Sequence, residues 1–256
     1  MAEVISDFGL EDRVAIVTGA SRSIGRGIAT VLAEAGADLV LCGRSQEHLE
    51  QVAGEVESLG RKGIPVICDV SDRDAVTAMI DTCKRELGTP TIAVANAGIF
   101  QTWGPVEDVP PEEWDEVMAV DLSGVWHTCQ LAGREMIAGN GGAIVTISSI
   151  AGVAALVGTG SYTAAKFGVV GLTKVLAAEW GKHGVRVNAV SPGFVERDVE
   201  PLKEQPETLE QIMGRVPLDR FGQPREIGLA TAFLASPAAA FITGTNLPVD
   251  GGWLAT

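Results

Sequence analysis

One tyrosine and three histidines in 256 residues already narrow the chemistry open to this chain. His48, His127 and His183 lie far apart, with no HxH or HxxxH spacing, which argues against an imidazole-built metal centre. The four cysteines, Cys42, Cys68, Cys83 and Cys129, show no CxxC pattern and sit in apolar segments. They read as buried free thiols rather than redox or zinc ligands. Positive charge is also short. Nineteen lysines and arginines against 33 acidic residues leave a net charge of −14, which disfavours nucleic acid or an anionic membrane surface as a partner. No apolar run reaches the roughly 18 residues needed to span a bilayer. The start, "MAEVISDFGLEDR", is acidic and lacks the basic opening and apolar stretch of a signal peptide. A cytoplasmic location is the resulting expectation.

Hydrophobic residues make up 46% of the chain, enough for a large core. Short β-branched runs ("RVAIVT", "DLVLCG", "IPVICD", "TIAVAN", "AIVTIS", "VRVNAVS", "NLPVD") alternate with amphipathic stretches from end to end. The helical patterns fall near 24–35, 46–59, 72–87, 111–137, 158–181 and 224–235. Strands apolar on both faces, alternating with helices, predict an α/β fold with a parallel sheet covered on each side. No linker or repeat interrupts residues 1–256, so a single domain is expected. Residues 194–222 are the least regular, with three prolines and dense charge. Their place directly after a strand suggests a substrate lid.

Two segments carry chemistry. "RVAIVTGASRSIGRGIATVLAEAG" reads as strand, Gly-rich turn and helix, the arrangement in which glycines let backbone approach a pyrophosphate and a helix N-terminus stabilises its charge. "SYTAAKFGVVGLTKVLAAEW" places the sole tyrosine, Tyr162, four residues before Lys166, on one face of a helix. A free phenol, with pKa about 10, is a poor base at neutral pH, and a neighbouring ammonium favours its ionised form.

Taken together, "TGASRSIG" (18–25), "NAG" (96–98), Ser149 thirteen residues before Tyr162, and the Tyr162/Lys166 pair resemble the short-chain dehydrogenase/reductase family. "SPGF" (191–194) and "VDGGW" (249–253) fit as well, so the likeness spans roughly residues 11 to 256. The resemblance implies a Rossmann-type doubly wound, mainly parallel sheet of seven strands, order 3-2-1-4-5-6-7, with the nucleotide-binding part at about 11–150. It also implies that Tyr162 is the acid/base and that Lys166 supports it and holds the nicotinamide ribose. Ser149 steadies the substrate oxygen, in preference to Ser148. By the same likeness Gly19, Ser21, Arg22, Ser23, Ile24 and Gly25 line the cofactor phosphates, and Asp69 and Val70 meet the adenine. Asn96, Ala97 and Gly98 back the nucleotide, with Pro192, Gly193 and Val195 beyond.

The choice of cofactor rests on charge. A free ribose 2′-hydroxyl calls for a carboxylate closing the second strand, but "LVLCGRS" offers Arg44 instead. NADP(H) is therefore favoured over NAD(H), with Arg22 as a second cation. Ile150, Val153, Leu156, Phe100, Trp103 and Phe194 predict a mostly apolar substrate pocket, suited to a carbonyl reductase acting on a hydrophobic ketone or acyl chain. "MGRVPLDRFGQPREIG" and "VDGGWLAT" instead resemble sugar-acid and polyol dehydrogenases of the family. A catalytically idle nucleotide-binding scaffold is the remote alternative, and the intact serine, tyrosine and lysine argue against it.

Three positions depart from the family pattern: Asp121 for its usual asparagine, Arg197 for a threonine and Ala95 for an asparagine. Asp121 joins the catalytic set by position. In a dry site its carboxyl is expected to take up a proton and imitate asparagine, and in a wet one to be screened. The helical patterns at 111–137 and 158–181 are apolar on more than one face, which with the family likeness implies a homotetramer or dimer.

Overall fold

A computed structural model describes residues 6–100, 103–139, 141–196 and 206–256. Seven strands, β1 (Val14–Thr18), β2 (Asp38–Gly43), β3 (Gly63–Ile67), β4 (Ile92–Ala95), β5 (Gly142–Ile147), β6 (Val185–Pro192) and β7 (Asn246–Val249), form one sheet in the order 3-2-1-4-5-6-7. Every pairing is parallel. This is the expected doubly wound architecture, and the strand boundaries fall within a residue or two of the sequence runs.

Alternation along the strands explains why both faces need cover. Ala15, Val17, Leu39, Leu41, Ile92 and Val94 point into one hydrophobic cluster. Ile16, Val40, Cys42, Ala93 and Ala95, the intervening residues, point into the other. The first cluster is roofed by α1 (Ser23–Glu34), α2 (Gln46–Ser58) and α8 (Pro224–Ala235); the second by α3 (Arg73–Glu86), α5 (Gly124–Ala138) and α6 (Gly160–Trp180). The cysteines are free and buried, as the sequence suggested, and burial pushes the thiols of Cys83 and Cys129 up to about 12.

Local signals start and stop these helices. Asp72 caps α3, accepting from the backbone N–H of Asp74 and Ala75, and Lys84 and Arg85 close its last turn against the helix dipole. Pro224 opens α8, where the Glu226 carboxylate accepts from Gln223 N at 2.8 Å.

Two expectations are corrected. The pattern at 111–137 is not one helix. α4 (Pro111–Met118) passes into a π-helical turn, Ala119–Ser123, before α5, and Gly124 N–H reaches back five residues to Ala119 O. Residues 194–222 also hold more structure than their composition suggested, with α7 (Pro206–Met213) inside the excursion. Its base is pinned by a parallel bridge between Val195 and Gly222, with Glu196 N–H donating to Gly222 O and Gly222 N–H to Phe194 O. Arg197 lies outside the described residues. Among the described residues, no helix is long and apolar enough to cross a membrane.

Candidate active site

Pro192, Gly193 and Val195 stand at the end of β6, and Gly19 to Gly25, Arg44, Asp69, Val70 and Asn96 to Gly98 follow the carboxyl ends of β1 to β4, around the switch point where β1 pairs with both β2 and β4. Thr18 and Asn96 clasp that point. Thr18 Oγ1 accepts from the backbone N–H of Asn96 (3.0 Å) and Ala97 (3.1 Å), and Asn96 Nδ2 donates to Thr18 O at 2.9 Å. Gly19 turns the chain with φ +67, and a Cβ on Gly25 would stand 2.0 Å from Gly19 O, so no larger residue fits that turn. Ser23 also has a positive φ, 43, at the entry to α1. The residue capping α1, Arg22, is extended and lends no side-chain hydrogen bond, and the first turn holds no acid. An open helix N-terminus above a glycine turn is a cradle for a phosphate group.

Arg44 is exposed and lies just before the α2 cap, Ser45. Asp69 is held below the usual carboxylate range, first by hydrogen bonds from the Ser71 hydroxyl and backbone N–H and then by the charge of Arg44. Val70 is buried against α5, where a Cβ on Gly124 would meet its Cγ2. Loop, helix end and two exposed arginines fit a nucleotide bearing an extra phosphate.

The reacting centre lies on the other side of β4. Tyr162 occupies the first turn of α6, with Lys166 Nζ 5.3 Å from its ring centre. Nζ donates to Ile147 O at 3.3 Å and lies 3.1 Å from Asp121 Oδ2; the side chains are 4% and 0% exposed. Burial alone would lower the lysine's pKa; Asp121 and then Tyr162 outweigh burial and raise it. Asp121 Oδ1 accepts from Ile99 N at 2.7 Å. Oδ2 has no aligned hydrogen-bond donor, so its attraction to Nζ is one of charge. Ser148 is spent on structure, donating to Lys166 O at 3.0 Å. Ser149 Oγ accepts from Ala151 N at 3.1 Å, capping the turn Ile150–Gly152, and keeps its own proton to give.

A family model described as enoyl-(acyl carrier protein) reductase matches residues 19–254. The chain belongs to the short-chain dehydrogenase/reductase family. It is 39% identical over 247 residues to D-threitol dehydrogenase of Mycolicibacterium smegmatis, covering 96% of this chain and 95% of that one. It is likewise 39% identical over 239 residues to a 3-oxoacyl-[acyl-carrier-protein] reductase of Staphylococcus aureus, covering 93% and 96%. A gluconate 5-dehydrogenase from Burkholderia cenocepacia, solved in complex with NADP and tartrate, superposes with a TM-score of 0.94 at 34% identity over 99% of both chains.

In this dehydrogenase/reductase the residues assigned to substrate divide in two. Ile150, Leu156 and Phe194 pack into a third apolar cluster. Phe100 and Trp103, about half exposed, form an aromatic arm instead: Phe100 lies 4.8 Å from the Tyr162 ring and 5.6 Å from Trp103. Val153 is exposed and is not a member of the cluster. Sequence reasoning missed the cluster's other half, Val216, Trp253 and Leu254. Trp253 is buried with its ring 6.5 Å from Phe194; Arg215 stacks on it at 3.8 Å and donates to Thr256 O. The "VDGGW" motif was the available signal, since a tryptophan beside glycines at a strand end has to pack on something outside its own segment. Among the described residues, no group of three or more histidine, cysteine or acidic side chains gathers to hold a metal ion.

Proposed function

We propose that the protein is an NADP(H)-dependent oxidoreductase that interconverts a ketone and a secondary alcohol, most readily reducing an apolar carbonyl compound. The observations that support the substrate class are the apolar cluster of Ile150, Leu156, Phe194, Val216 and Trp253, which follows Ser149, and the Phe100–Trp103 arm at Tyr162. Arg44 and Arg22 beside the open α1 N-terminus support NADP(H) over NAD(H). The nicotinamide, when bound, supplies or accepts the hydride at the carbon of the alcohol. The Tyr162 hydroxyl gives the proton to the oxygen in reduction and takes it back in oxidation. Ser149 steadies that oxygen through its O–H, and the Lys166 ammonium, beside the ring, supports the phenol's proton exchange. Exposed Phe167 and Val175 on α6 pair copies of the chain into a homotetramer or dimer.

A second reading, a polyol or sugar-acid dehydrogenase, draws on a specific observation. Trp253 Nε1 is a buried donor with no hydrogen-bond partner, and Arg215 lies over the same ring. A hydroxylated or anionic substrate would use both. The two readings separate in one assay: purified protein with NADPH or NADH and a panel of cyclic ketones and 3-oxoacyl thioesters, and with NADP+ or NAD+ and a panel of polyols and aldonates, followed by nicotinamide absorbance. Turnover confined to polyols and aldonates would overturn the apolar assignment, and turnover of none would overturn the enzyme itself.

A further inference from the structure

Asp121 reaches the reacting centre through the π-helical turn, whose extra residue turns its carboxyl inward to zero exposure. Three segments converge there. Ile99 N–H holds Oδ1, Lys166 approaches Oδ2, and Gly98 leaves the gap open, since a Cβ on it would lie 3.0 Å from Oδ2 and 3.4 Å from Nζ. The Tyr162 ring centre lies 5.3 Å from the same ammonium. The charges acting on Lys166 are Asp121 and Tyr162; the hydroxyl of Ser148 and the carbonyl of Ile147, also against this lysine, are neutral.

Resting on the acid/base role of Tyr162 given above, we infer that Asp121 is a positioning residue whose carboxylate neutralises the Lys166 ammonium and thereby keeps Tyr162 a phenol to higher pH. A lysine alone beside the ring would pull the phenol toward phenolate. With a carboxylate 3.1 Å behind it, the ammonium presents little net charge to the ring. Oδ2 lies within about 8.4 Å of the ring centre by the two measured separations, and burial leaves little water between to weaken its field. The consequence is directional. The protonated form, which donates to a ketone, persists through neutral pH, and the ionised form, which accepts from an alcohol, is reached only on the alkaline side.

The chain's single tyrosine makes this measurable without substrate or cofactor. Protein labelled with carbon-13 at the tyrosine Cζ, titrated by NMR, reports on Tyr162 alone. In the unaltered protein the phenol should ionise close to the ordinary value of about 10. In Asp121→Asn it should ionise lower by on the order of one pH unit. The acid limb of kcat/KM for alcohol oxidation should move down by a similar amount. A titration already depressed by two units or more in the unaltered protein overturns the inference, even if the variant does not fold. So does an Asp121→Asn titration that stays in place. Failure to turn over any substrate, with the titrations as stated, would sink the reading of function and leave this one standing.

Discussion

The two halves of the sheet's carboxyl edge are built from different materials. Around β1 and β4 the surface is backbone and short polar groups: Gly19, Gly25, the Thr18–Asn96 clasp and the open start of α1. Beyond β5 it is bulky apolar side chains delivered by residues 150, 156, 194, 216 and 253. The first half can tolerate almost no added volume, because main chain already touches main chain. The second can exchange one shape for another and still close. A nucleotide shared by many enzymes suits the rigid half, and a substrate peculiar to one suits the adaptable half.

The sharpest break falls at the join between them. Tyr162→Phe should cut turnover by about a thousandfold or more while leaving NADPH affinity within a few-fold, because only the proton donor is removed. Comparable turnover in the variant would sink the mechanism. Gly25→Ala tests the rigid half. Its Cβ would meet Gly19 O at 2.0 Å, so the turn must open, at about 1–3 kcal/mol of stability and with weaker NADPH binding. Thermal unfolding and cofactor titration of the same sample would expose a turn that has slack, if neither changes. Arg44→Ala should weaken NADPH by about 1.5–3 kcal/mol, roughly ten- to a hundredfold, and leave NADH little changed. Equal weakening of the two would make Arg44 structural. The smallest effect belongs to the adaptable half. Trp253→Phe keeps a ring on the wall and removes the unpartnered N–H, so the KM of apolar ketones should move less than about threefold. A rise of about tenfold confined to hydroxylated substrates would favour the second reading, in which that N–H has a ligand.

The same contrast explains what could be read without coordinates. The strands, the glycine turn and the Tyr162/Lys166 pair were legible because each depends on spacing within one segment, or on the alternation of Ala15 and Val17 against Ile16, while the strand order and the place of Asn96 came with the family resemblance. Trp253 was not, since its partners Phe194 and Val216 are drawn from an excursion far from it in the sequence. The pairing of Asp121 with Lys166 was only half legible. Proximity followed from the resemblance, but the complete burial and the 3.1 Å approach depend on how Gly98 and Ile99 meet the carboxylate. The break at Ala119 left no mark either, because it holds no proline or glycine and the apolar pattern shifts by a single position.

That shift has a consequence for how this chain can change by insertion and deletion. A π turn accommodates one residue more than an α-helix would over the same rise, so α4 and α5 are out of phase by about 100°. Deleting any one residue between Ala119 and Ser123 would let the two merge into a continuous helix without disturbing either apolar stripe beyond the junction. The fold would tolerate the loss. Yet the deletion would redraw the turn that carries Asp121 and take the carboxylate away from the lysine. A lineage could thus lose its charge-compensated centre in a single codon deletion and regain it by a single duplication, with no substitution in any residue that touches the reacting atoms.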